Sequence, residues 1–140
     1  MNAGAPNPLP RRLRALALLL GVALLAWLPI EDTQLFAVIL FATFIAALAG
    51  AQLAQIFQLR PFIQRLPPAV RWGLWALIAG ILIAPLAVLL MALKTGLHGH
   101  SRPDFTADQV LNVLRRAPIF MLSATLFGLG VGLYRASKSE

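Results

Sequence analysis

The chain is expected to be an all-α, polytopic membrane protein with four transmembrane helices and a short amphipathic extracytoplasmic helix between the third and the fourth. Three observations carry that expectation. Hydrophobic residues make up 59% of the 140 positions and charged residues only 12%, with a mean hydropathy of +0.79, whereas soluble domains carry roughly 45–50% apolar and about 25% charged residues. The apolar residues gather into four uncharged runs of membrane length, separated by short polar joints. Between the third and fourth runs stands a complete helix-start signature, Phe105-Thr106-Ala107-Asp108-Gln109-Val110.

Residues 1–10, with Pro6, Pro8 and Pro10, have no helical period and are expected to form a tail ahead of a single membrane-embedded domain, 11–140. Arg11, Arg12 and Arg14 introduce the first run, 15–30. A basic start followed by an apolar run also fits a cleavable signal, but a cut after Ala26 puts Leu24 where a small residue is wanted, so a retained helix is expected over about 14–30. The run covers only ~24 Å, so Arg14 is expected to snorkel. Glu31 and Asp32 then make an acidic turn.

The second run, 33–59, is uncharged and longer than the ~20 residues a bilayer needs. A helix is expected over 34–58, its Gln52, Gln55 and Gln58 reaching the headgroups or a neighbouring helix. Arg60-Pro61 is expected to end it, because the ring disfavours a helical residue before it, and a stiff basic linker with Arg65 and Pro67-Pro68 follows. The third helix is expected over 72–93 between Arg71 and Lys94, with Trp72 and Trp75 at headgroup level and a kink at Pro85. The fourth is expected over 118–135, since Pro118 suits a helix start where its missing N–H costs nothing.

The segment 94–117 holds both histidines. Thr106 as N-cap and Gln109 three residues on make a capping box, with Phe105 and Val110 as a hydrophobic staple. The short helix, about 107–116, puts Ala107, Val110, Leu111 and Leu114 on one face and its polar residues, Arg115 and Arg116 among them, on the other. That face suits the lipid interface or a partner subunit, which makes Val110, Leu111, Leu114, Arg115 and Arg116 interface candidates. His98 and His100 with Asp104 are the candidate metal ligands, imidazoles two apart with a nearby carboxylate. Structural zinc wants four ligands, and a fourth is not evident, so exposed or hydrogen-bonding histidines fit with fewer assumptions. A pH-sensitive contact is a further reading. No metal or other cofactor is expected.

Lipid gives helices no hydrophobic reason to associate, so close packing falls to small residues. They recur at i, i+4 as Ala42, Ala46, Gly50 and Ala54 in the second run; Ala76, Gly80 and Ala84 in the third; and Ala124, Gly128, Gly132 and Ala136 in the fourth. The first run has Ala17 and Gly21. The string GLGVG at 128–132 lacks the preceding strand that a dinucleotide fingerprint requires, so it joins the packing positions.

Charge placement sets the orientation. Arg11, Arg12, Arg14, Arg60, Arg65, Arg71, Arg135 and Lys138 fall on one side. Lys94, Arg102, Arg115 and Arg116 fall on the other, with Glu31, Asp32, Asp104 and Asp108. The richer side is expected to be cytoplasmic, with both termini on it and the loop 94–117 outside the cytoplasm. Short loops and compactness suggest a bacterial plasma (inner) membrane. The +7 net charge flanks the spans and makes no stripe with exposed aromatics, so no nucleic-acid partner is expected. The absence of cysteine rules out disulfides and thiol chemistry.

Between their flanking charges the spans contain no Asp, Glu, Lys, Arg or His, the groups that mark proton relays and ion paths. An enzyme is therefore not expected. The leading expectation is an accessory or assembly subunit of a larger membrane complex, partnered by the lipid bilayer and by other membrane subunits or copies of itself. The alternative is a homo-oligomeric channel or carrier for uncharged or lipid-like solutes.

Overall fold

The computed structural model describes residues 11–30, 34–57, 61–98 and 104–138, and every regular element among them is helical. In chain order these are α1 (Arg11–Trp27), α2 (Leu35–Phe57), α3 (Pro61–Gln64), α4 (Pro68–His98), α5 (Ala107–Arg115) and α6 (Ala117–Ser137). Three stretches are long and apolar enough to cross a membrane: Leu35–Ile56, Pro68–His98 and Ala107–Ser137. The N-terminal tail, the acidic turn at Glu31 and Asp32, and Gln58 and Arg60 lie outside the described residues.

Several boundaries differ from expectation. α1 starts at Arg11 and has 17 residues, a length of about 25 Å against a hydrocarbon core of ~30 Å. The expected stiff linker after Arg60 contains the single turn α3. α4 is 31 residues long rather than the expected 72–93. At its start Pro68 takes a position where a proline needs no N–H partner. At its end the helix continues past Lys94, because that side chain is buried against protein instead of reaching for water. The helix runs unbroken through Pro85, whose ring is exposed.

α4 is the spine, and α2 and α6 both pack on it. The α2 ladder faces it: Ala42 and Ala46 are fully buried, Gly50 and Ala54 are also buried, and a Cβ on Gly50 would lie 3.2 Å from the Ala79 Cβ. On its other flank α4 meets α6 more tightly. A Cβ on Gly80 would lie 2.9 Å from the Met121 Cα and 3.0 Å from the Ala124 Cβ, and one on Gly132 would lie 2.5 Å from the Ala69 Cα. A Cβ on Gly128 would overlap Ala76 and the Trp72 carbonyl. As the α4 numbers fall the α6 numbers rise, so the pair is antiparallel with its backbones in near contact. Ala84, the last of the α4 ladder, is buried in the main core with Ala42 and Ala46. Thr125 bonds back to the Met121 carbonyl at 2.7 Å, the local bond expected of a hydroxyl at membrane depth.

The expected four-helix bundle is not closed by α1. Only its C-terminal end enters the core, through Leu24 and Trp27, with Leu28 following. Gly21, expected to be part of a packing ladder, has no atom of a neighbouring element within 4 Å of where its Cβ would be. Between α2 and α6, over α4, lies an apolar groove of about 540 Å³.

α5 starts as its sequence dictates. The Gln109 N–H donates to Thr106 Oγ1 at 3.3 Å, and the Thr106 N–H donates to Gln109 Oε1 at 2.8 Å. Its packed face differs from the expected one. Val113 is buried and Val110 packs beside it, while Leu111 and Leu114 are exposed along with Arg115 and Arg116. Val110, Val113, Ala117 and Phe120 all pack on the one core. They form a stripe spaced by three and four residues, so the stripe that α5 turns inward continues into α6. A single residue, Arg116, separates the two helices, with φ −85° and ψ −3°.

Candidate functional site at the loop end

Lys94 and His98 stand four residues apart in the last turns of α4 and therefore share a face. Lys94 lies about 29 Å along the helix from Trp75, close to the thickness of a hydrocarbon core. Both basic groups also sit at the negative end of the α4 dipole, which favours them.

Lys94 is fully buried, at 0% exposure. Its Nζ lies 4.0 Å from the centroid of the Trp27 ring, and that ring packs on Phe41 with centroids 5.1 Å apart. Removing an ammonium from water costs several kcal/mol, and the face of a tryptophan returns about 2 kcal/mol or more when the pair is desolvated. The Trp27 Nε1 is buried and has no hydrogen-bond partner among the described residues. Trp27 meets its polar neighbour through its ring face. Two contacts through Trp27 therefore join α1, α2 and α4.

One turn further on, His98 Nδ1 and Asp104 Oδ2 are 2.6 Å apart, with both side chains largely buried. Asp104 comes from the far side of the loop and precedes Phe105 and the N-cap Thr106, so the pair fastens the start of α5 to the end of α4. Phe105 is buried in the same core as Trp27, Met91 and Val113. Chemically this is a closed polar latch: an imidazole and a carboxylate turned toward each other, beside a cation on an aromatic ring.

The structure thus brings together two of the three candidate metal ligands, His98 and Asp104, by pairing them with each other. His100 lies outside the described residues, and among the described residues no three His, Cys, Asp or Glu side chains form a metal-sized group. Sequence reasoning used Lys94 only as the flank of the third span, did not single out Trp27, and so missed their contact. A signal for them existed: each closes an apolar run at the same end of the molecule, the depth at which tryptophan and lysine anchor spans. Comparison of the chain with protein-family models, with curated proteins and with solved structures found no match in any of the three.

Proposed function

We propose that this is a small, non-enzymatic integral membrane protein that serves as an accessory or assembly subunit of a larger membrane complex. The observation that supports it is the state of α1. The ladder glycines of α2, α4 and α6 are already in close contact with a neighbouring helix of the chain, whereas α1 enters the core only from Leu24 onward and leaves open space beside Gly21. A small-residue face beside an open space is what a transmembrane helix of another subunit needs for close approach. In this reading α1 is the fourth span, with both termini cytoplasmic and the loop 94–117 outside, in a bacterial inner membrane. The latch at the loop end holds α5 in a fixed register for contact with partners. Purification from the native membrane in mild detergent tests the proposal: a co-purifying subunit that a Gly21→Leu substitution releases supports it, and isolated copies alone refute it.

A second reading, a homo-oligomeric channel or carrier for uncharged or lipid-like solutes, is favoured by the apolar groove between α2 and α6. Solute flux through vesicles reconstituted with the purified chain supports it, and no flux across a broad solute panel counts against it.

A further inference from the structure

At the end of the molecule opposite the latch, α4 begins, and α2 and α6 end. A cavity of about 270 Å³ opens there, and Arg71 and Arg135 line it together with Ala54, Trp72 and Trp75. The Arg135 guanidinium lies 4.4 Å from the centroid of the Trp72 ring, which fixes one wall of the cavity and directs a planar cation along it. Arg71 belongs to the first turn of α4, whose dipole adds positive potential at the same place. No carboxylate lines this cavity. The described carboxylates, Asp104 and Asp108, belong to the other end of the chain's long axis. Two guanidinium groups therefore face a cavity whose lining offers them no counter-charge.

The cavity adjoins the apolar groove, since Ala54, Trp72 and Trp75 are walls of both. The groove's hydroxyls are Thr43 and Ser123, and Thr43 already donates to the Ile39 carbonyl. Its volume of about 540 Å³ falls in the ~300–1,000 Å³ range of small-ligand sites. From Trp72 to Ile83 it follows α4 for about 17 Å, the depth of one leaflet of a ~30 Å hydrocarbon core. A headgroup-level pair of arginines thus opens onto an apolar channel one leaflet deep.

We infer that the groove between α2 and α6 holds an anionic phospholipid, its phosphate between Arg71 and Arg135 and one acyl chain along α4. Guanidinium forks match phosphate oxygens, and small side chains along the groove (Ala47, Gly50, Ala51 and Ala79) leave the width of a hydrocarbon chain. A helix from a second copy would fill the apolar part and leave the arginine pair without its anion, which favours lipid as the occupant. Each arginine is worth roughly fivefold in preference for an anionic over a zwitterionic headgroup.

The test uses the full chain in vesicles doped with phosphatidylglycerol or phosphatidylcholine carrying brominated acyl chains, read by tryptophan fluorescence. Brominated phosphatidylglycerol is expected to quench more strongly at equal mole fraction, because Trp72 and Trp75 line the seat. The excess is expected to vanish in Arg71→Gln/Arg135→Gln, to survive in Arg71→Lys/Arg135→Lys, and to fall in Ala47→Phe, which fills the groove and leaves the charges in place. Free inorganic phosphate is expected not to displace the lipid. Native mass spectrometry of the wild-type chain from mixed micelles reads the same preference without any substitution. Equal quenching by the two lipids overturns the inference, as does an excess that survives loss of both arginines or is untouched by Ala47→Phe. A Ser123→Cys variant that cross-links efficiently between copies would put a second copy in the groove and overturn it as well.

Discussion

Lys94 is a lysine that the fold places out of reach of water, and what it touches decides whether that is tolerable. Its Nζ on the Trp27 face predicts a measurable coupling. A double-mutant cycle with Trp27→Leu and Lys94→Met, read by unfolding in detergent, is expected to give an interaction of about 1–2 kcal/mol. A value near zero would mean that the ring only fills space. The glycines give a sharper contrast. Gly128→Leu forces a side chain into Ala76 and the Trp72 carbonyl and is expected to cost more than about 3 kcal/mol, whereas Gly130, with nothing within 4 Å, is expected to accept the same change at under ~1 kcal/mol. Thermal unfolding of the two variants side by side measures the difference. The Gly128 contact was legible in sequence because a repeat at i, i+4 fixes one face of a helix whatever it faces. The Lys94–Trp27 contact was not, because it needs the ends of α1 and α4, far apart in the chain, to meet at one depth.

At the scale of the element, α5 separates what is local from what is not. Its capping box lies within four residues and was readable as written. Its inward face was not. A helix of nine residues offers Val110 two companions, Leu114 four residues on or Val113 three residues on, and α4 decides between them. Val113→Asp is therefore expected to destabilise the chain by several kcal/mol, and Leu111→Asp to be nearly neutral. Near-equal melting temperatures for the two variants would return the packed face to Leu111 and Leu114.

For the molecule as a whole, the low charge content and the long apolar runs made a helical membrane protein legible from the sequence. What composition did not contain was which helix is central. Apolar length does not say which neighbours a helix has, and it is the pairing of ladders (Gly50 on Ala79, Gly128 on Ala76) that identifies α4 as the helix with two packed flanks. The proposed orientation has a direct check, because the chain has no cysteine of its own. Asp108→Cys and Ser137→Cys, both at exposed positions, are expected to react oppositely with an impermeant maleimide. The first is expected to label in intact cells and the second only after permeabilisation. The reverse pattern would invert the molecule.

The central place of α4 also orders events in time. α1 and α2 leave the ribosome first, yet the surface on which the α2 ladder closes does not exist until α4 has been made. At ~5–20 residues per second, the roughly 40 residues between the end of α2 and the end of α4 take about 2–8 s to synthesise. During that interval the Ala42–Ala46–Gly50 face meets lipid or another nascent helix. Each span is stable alone in the bilayer, so the delay does no harm to the single helix. It leaves a window in which a neighbouring chain can claim α2 before α4 arrives.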